Sequence, residues 1–292
     1  MGGYWPALPQ ETANAIVAES LAGGINWFDT AEIYGRGVSE TTLAAALKAA
    51  GRKNRDVVVA TKWWPLFRTA ATIPATLPER LARLAPFGID LLQVHQPFSF
   101  SSVAAQMEAM ADLATAKKIG SVGVSNFSEG KLRAAHRVLA GRGIPLVSNQ
   151  MPYSLLDRRI ETRGIVAAAK ELGITLIAYS PLAQRLLSGK FHREPELIRS
   201  RPGPRKRLPK FGRRGLERSR PVVEALEAIG RRRGVTASQV ALNWLIQFHG
   251  ETMVAIPGAT SVAQARENTG AMAFRLDDDE MARLDALSRQ YL

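Results

Sequence analysis

Short β-branched runs alternate with amphipathic stretches along almost the whole of this 292-residue chain. The runs fall at 25–28, 57–61, 91–94, 121–124, 146–148, 175–178 and 253–256, and successive runs lie roughly 25–35 residues apart over most of the chain. Helical patterns fill the intervals, among them 12–22, 40–50, 103–118, 131–140 and 160–172. Regular strand–helix alternation implies a parallel sheet, because consecutive parallel strands need a crossover between them. Most runs are continuously apolar, as strands covered on both faces are. The spacing is that of a TIM-type (β/α)8 barrel, and no Gly-x-Gly-x-x-Gly follows any strand as a two-half nucleotide-binding sheet would require.

Such a barrel needs eight strands, and only seven are found before the closing helices. The first strand is apparently missing, with Gly2 and Gly3 read as its tail and the chain expected to start late. No linker is evident, so residues 1–292 read as a single domain. Later helices carry start and stop signals. Thr236-Ala237-Ser238-Gln239 reads as a capping box opening 238–248, and Asp277 with Glu280 opens the last helix. Pro221 suits a first helical turn, and Arg231, Arg232 and Arg233 before Gly234 suit a helix C-terminus.

Charge narrows the function classes. The net charge is +13, but twelve Lys and Arg against three Glu fall between Lys190 and Arg220, which leaves about +9 in that one segment. This basic insertion, at about 186–220, reads as a solvated loop or as a mobile lid over a phosphate-bearing ligand. Nucleic acid ranks third, because base-stacking aromatics are nearly absent from it. No apolar run approaches the ~20 residues of a membrane span. The N-terminus lacks the charged lead and apolar core of a signal peptide, and there are no cysteines, so a cytoplasmic enzyme without disulfides or thiolate metal sites is expected. The four histidines show no zinc-ligand spacing, and no serine occupies a nucleophile elbow, so neither a metal site nor a serine triad is expected.

Three strand ends carry the chemistry. Asp29 closes Trp27-Phe28-Asp29 and Tyr34 follows five residues later; Lys62 closes the second run and His95 the third. In a parallel barrel these side chains share one rim. A tyrosine hydroxyl is a poor acid at neutral pH, and a neighbouring ammonium makes it a better one. The ammonium, partly buried, needs a carboxylate, which Asp29 supplies. His95 can orient a carbonyl oxygen or help relay the proton. No side chain donates hydride, so a cofactor is required. Taken singly, Asp29 reads as a cap, Tyr34 as packing, Lys62 as a solvated strand end and His95 as a core histidine. Four at one rim are much harder to assign to chance.

With these residues in place the chain resembles the aldo-keto reductases. The resemblance runs from about Gly3 to the C-terminus through Gly24-Ile25-Asn26-Trp27-Phe28-Asp29-Thr30-Ala31, Ala60-Thr61-Lys62, Gln93-Val94-His95, Gly123-Val124-Ser125-Asn126-Phe127, Asn149-Gln150, Ala178-Tyr179-Ser180-Pro181-Leu182 and Ile256-Pro257-Gly258-Ala259, in family order. It implies Tyr34 as general acid, Lys62 and Asp29 as its tuning pair, and His95 as carbonyl orienter. It also implies NADPH, with NADH a second option, as cofactor. Ser125, Asn126 and Gln150 match the positions that hold the nicotinamide carboxamide, and Tyr179 the ring that stacks on it. Ser180, Leu182, Ser188 and Lys190 match phosphate contacts, with Lys190 and an insertion arginine such as Arg193 expected to pair the 2′-phosphate. Gly258, Thr260, Gln264, Glu267 and Asn268 match the remaining cofactor positions; many members carry a lysine and an arginine here, while branches with a similar Gly and Gln still bind NADPH. Trp63, Trp64 and Phe98 are expected to line a pocket for a small carbonyl substrate, with Tyr4, Trp5, Phe67 and Pro97 as further candidates. A regulatory, redox-sensing subunit that binds NADPH with little turnover is the alternative implied by the same resemblance. Oligomeric state and the particular substrate are not legible.

Overall fold

The computed structural model describes residues 8–200 and 204–292. Gly2, Gly3, Tyr4, Trp5 and Arg201 lie outside them. Strand and helix alternate as the apolar periodicity requires. Helix α1 (Gln10–Ala22) leads to β1 (Trp27–Asp29), α2 (Val38–Ala49) to β2 (Val58–Trp63), and α3 (Thr72–Leu84) to β3 (Leu91–Val94). Then come α4 (Val103–Thr115), β4 (Ser121–Ser125), α5 (Glu129–Gly141), β5 (Leu146–Pro152), α6 (Arg159–Thr162), α7 (Ile165–Leu172) and β6 (Thr175–Tyr179). After the short α8 (Lys190–Arg193) follow α9 (Arg213–Arg233), α10 (Ala237–Phe248), β7 (Met253–Ala255), α11 (Val262–Gly270) and α12 (Asp278–Ser288).

The seven strands described form one sheet in sequential order, β1 to β7, the order of a (β/α) barrel with one strand fewer than eight. Strands β1 to β5 pair in parallel, with Asp29 opposite Ala60, Lys62 opposite Gln93 and Ser125 opposite Gln150. Val59, Ala60, Leu91, Leu92, Val122 and Val124 are buried, so apolar residues lie on both faces of these strands and the polar residues concentrate at their C-terminal ends. Gly123 marks a close approach: an added Cβ would press on Ser148 Oγ and stand 3.0 Å from Gln93 Cγ.

The chain divides into two compact units. One comprises Met1–Met151, Arg163–Ile177 and Gly258–Ala265; the other Pro152–Thr162, Ala178–Pro257 and Arg266–Leu292. The first holds β1 to β5 with α1 to α5. In the second, Arg158 is buried and gathers Glu161, Asp285 and Ser288, while its guanidinium lies over the rings of Trp244 and Phe248.

Several boundaries differ from the sequence reading. The stretch 160–172 is two helices, because Gly164 takes a left-handed φ of 73°. Both capping boxes form, at Thr236/Gln239 and Asp277/Glu280. Gly234 ends α9 in the left-handed conformation behind the triple arginine. Pro221, however, sits inside α9 and not in its first turn. The basic insertion is not a loop throughout. It consists of the short helical turns Ala183–Ser188, Pro195–Ile198, Pro204–Arg207 and Pro209–Phe211 with α8 among them, and residues 213–220 are the opening turns of α9. No helix of the described residues is long and apolar enough to cross a membrane.

Candidate active site

Parallel strands bring Asp29, Lys62 and His95 to one rim because each stands at the C-terminal end of its strand or one residue beyond. Lys62 is fully buried and its ammonium donates to Asp29 Oδ1 and to the carbonyl of Thr30 (2.8 Å). Asp29 is itself held: Oδ2 accepts from Gln93 Nε2 (3.1 Å) and Gln150 Nε2 (2.9 Å). Both carboxylate oxygens are thus satisfied by donors, as a buried carboxylate requires. Tyr34 opens a short turn after β1 and is half-buried. Lys62 Nζ lies 5.2 Å from the centroid of its ring.

His95 meets Tyr34 edge-on (centroids 5.6 Å apart) and Trp64 edge-on on another side (5.2 Å). Burial first, and then the charge of Lys62, push its imidazole down to about 3, so the ring is neutral at physiological pH. Its Nδ1 is buried and has no hydrogen-bond partner among the described residues. A buried, unpaired ring nitrogen beside aromatic edges is chemically suited to meet a polar atom of a ligand.

Trp64 continues to Phe98 (6.2 Å, edge-on), and Phe98 is half exposed. Beyond it Phe67 and Phe100 form an exposed ring pair 6.2 Å apart. The loops that carry these rings are stitched together: Phe100 N–H and Ser99 Oγ donate to the Arg68 carbonyl (3.0 and 2.8 Å), and Ala70 N–H donates to Ser101 Oγ (2.9 Å). Trp63 does not join them. It is fully buried and its indole N–H donates to Thr72 Oγ1 (3.1 Å), so the expectation that it lines a substrate pocket is corrected. Strand alternation explains this, since successive side chains point to opposite faces and Lys62 already takes the inner one.

The expected cofactor residues fall in both units. In the first, Ser125 Oγ donates to the Gln150 carbonyl (3.0 Å), and Asn126, at a left-handed φ of 63°, donates Nδ2 to Ser125 Oγ and to the His95 carbonyl. The Gln150 amide nitrogen is engaged by Asp29 and lies 3.4 Å from Gln93 Oε1. Thr260 N–H and Oγ1 both donate to Gln264 Oε1 (2.9 and 3.1 Å), and an added Cβ at Gly258 would meet nothing within 4 Å.

In the second unit Tyr179 ends β6, and Ser180, Ala183, Gln184 and Arg185 all take positive φ. Leu182 is half-buried between them. Ser188 Oγ donates to the Arg185 carbonyl (2.8 Å). Lys190 is exposed and forms no ion pair among the described residues, whereas Arg193 pairs with Glu227. Glu267 accepts from Thr236 Oγ1 (2.7 Å), and Asn268 is buried.

Two features escaped the sequence reading. Gln93 was noticed only as part of a motif, yet it braces Asp29. Glu32 and Arg80 form a buried ion pair (2.5 Å) under the Asp29–Tyr34 loop. The signal was present: Arg80 occupies a stripe position of α3, with Ile73, Leu77 and Leu84.

Strands β1 to β5, each bringing a polar side chain to the same end, follow the plan of (β/α)-barrel enzymes. The model of the aldo/keto reductase family matches residues 1–289, and the chain belongs to that family. An uncharacterized oxidoreductase of Mycobacterium tuberculosis is 38% identical over 294 residues, covering 99% of this chain and 85% of that protein. The structure of a glycerol dehydrogenase from Gluconobacter oxydans superposes with a TM-score of 0.85 at 27% identity, over 100% of this chain and 89% of that one. An aldo-keto reductase of Klebsiella pneumoniae in complex with NADPH gives a TM-score of 0.77 at 25% identity, over 98% and 88%. The fold is α/β, of the TIM-type (β/α)8 barrel class, with seven strands among the described residues.

Proposed function

We propose that this protein reduces an aldehyde or ketone to the corresponding alcohol with NADPH, Tyr34 delivering the proton. Lys62 is the observation that carries the reading. A fully buried ammonium needs a reason to be there, and it lies between the carboxylate of Asp29 and the ring of Tyr34. When bound, NADPH supplies a hydride to the carbonyl carbon. The carbonyl oxygen takes its proton from the Tyr34 hydroxyl, and water restores that proton. Lys62 faces the phenolate left behind, and Asp29, braced by Gln93 and Gln150, keeps Lys62 in place. His95, neutral, orients the carbonyl oxygen through a ring nitrogen. Trp64 and Phe98 receive the apolar body of the substrate.

Ser125, Asn126 and Gln150 would hold the nicotinamide amide and Tyr179 its face. Ser180, Leu182, Ser188 and Lys190 would meet the phosphates, with Gly258, Thr260, Gln264, Glu267 and Asn268 on the remainder of the dinucleotide and the basic insertion as its cover. NADPH is favoured by the complex formed by the Klebsiella relative. The complete Tyr34, Lys62, Asp29 and His95 set favours turnover over a regulatory role, as do relatives named oxidoreductase and dehydrogenase.

The test is cofactor oxidation against a panel of aldehydes and ketones, with NADPH and NADH, beside Tyr34→Phe. Loss of the general acid is expected to lower kcat by roughly 10²–10⁴-fold. An unchanged rate would remove Tyr34 from the mechanism.

A further inference from the structure

Glu32 stands three residues after Asp29 and two before Tyr34. Its backbone N–H donates to the Lys62 carbonyl (3.4 Å), and its carboxylate accepts from the backbone N–H of Trp64. One residue of the β1 loop therefore grips both sides of the Lys62–Trp64 segment. Its other bonds anchor it to α3 and to the next loop. Arg80, fully buried, donates Nη1 to Glu32 Oε2 (2.5 Å), and Arg68 donates Nη1 to Oε1 (2.9 Å). Arg80 is fixed in turn by Thr76 Oγ1 (3.0 Å) and the Ile73 carbonyl (3.5 Å).

Desolvation offsets most of the attraction in a buried ion pair, so such a pair adds little net stability. Here Arg80 Nε is buried without a partner among the described residues, a further cost. The gain is geometric. Tyr34 follows Glu32 by two residues and bonds back to the Ala31 carbonyl (3.0 Å), while Gly35 and Arg36 beyond it run in left-handed backbone. Trp64, gripped at its N–H, presents its ring to His95.

We infer that Glu32 is a positioning residue: one half-buried carboxylate, anchored by the buried Arg80, sets Tyr34 against Lys62 and holds Trp64 against His95. This rests on the carbonyl-reductase reading above. Misplacing reacting groups by about 1 Å costs on the order of 100-fold in rate, so the effect should fall on kcat.

The experiment compares Glu32→Ala, Glu32→Gln, Glu32→Met and Tyr34→Phe with the full-length parent. Measured are kcat and KM for one aldehyde, NADPH affinity by nicotinamide fluorescence, and hydrogen exchange of the Trp64 amide in the cofactor-free protein. For Glu32→Ala, kcat should fall about 10–100-fold. NADPH affinity should stay within about twofold, KM should rise by less than kcat falls, and the Trp64 amide should exchange at least about tenfold faster once its acceptor is gone. Glu32→Gln keeps an acceptor oxygen and should recover at least about threefold of the lost kcat. Parental kcat in Glu32→Ala overturns the inference, and so does a loss spread evenly over kcat, KM and cofactor affinity. If the alanine variant does not fold, parental kcat and parental Trp64 exchange in Glu32→Met, which fills the space without offering an acceptor, overturn it instead. If the parent shows no Tyr34-dependent reduction, the functional reading fails, while Trp64 exchange still reports whether Glu32 holds the loop.

Discussion

His95 enters any reaction here as an uncharged imidazole. It is buried beside Tyr34 and Trp64 and near the Lys62 ammonium, and burial and that charge both oppose a second proton on the ring. The sign of the linkage follows. A folded-state value near 3, against the ordinary imidazole value of 6.5, means that the folded protein binds fewer protons than the unfolded chain below pH 6.5. That contribution to stability is present above about 6.5 and is lost as pH falls towards 3. Imidazole resonances followed by NMR should show His95 neutral from pH 8 to about 4; a midpoint above pH 5.5 would contradict its burial. At this scale Asp29, Lys62 and His95 were legible because polar residues that end apolar strands stand out. The split between Trp63 and Trp64 was legible in principle, since alternation from Lys62 assigns their faces, but two adjacent indoles obscured it. Glu32 was not legible, because its role depends on an arginine 48 residues away.

Elements were legible where periodicity was clean. Apolar runs marked all seven strands to within a few residues, and both capping boxes formed where side-chain chemistry placed them. In α3 the helical stripe of Ile73, Leu77, Arg80 and Leu84 is interrupted by an arginine and accompanied by Pro78, which disguises its period in the sequence. In the basic insertion the density of charge masks the helical pattern, and the opening turns of α9 read as loop in the sequence. The segment after β6 is backbone-strained, with Ala183, Gln184 and Arg185 consecutively at positive φ. A side chain in that conformation costs roughly 1–2 kcal/mol, partly offset by the greater unfolded-state freedom of glycine. Arg185→Gly should therefore stabilise the protein by about 0.5–1 kcal/mol in chemical denaturation. A loss of stability would show that the Arg185 side chain contributes more than its backbone costs.

At the scale of the molecule, family membership explains why the chemistry was readable and the energetics were not. The residues proposed to react announce themselves by type, whereas the second unit is secured by a network dispersed along the sequence. Burial raises the Glu161 carboxyl, but paired bonds from Arg158, with His249 and Tyr153, more than offset this and hold it down to about 2. The folded protein therefore gains stability above about pH 4.5 and loses it as pH falls from there to about 2, an amount on the order of 2–3 kcal/mol. Glu161→Gln should abolish that acid-dependent slope in melts recorded between pH 7 and 3; a slope equal to the parent's would assign it to other carboxylates.

The seams that join the Arg68 and Ser99 loops have a practical consequence. Each loop supplies the acceptors or donors that complete the other, so a graft of either one alone leaves the recipient with severed backbone bonds. Anyone re-engineering what this protein accepts should exchange the two as a matched cassette.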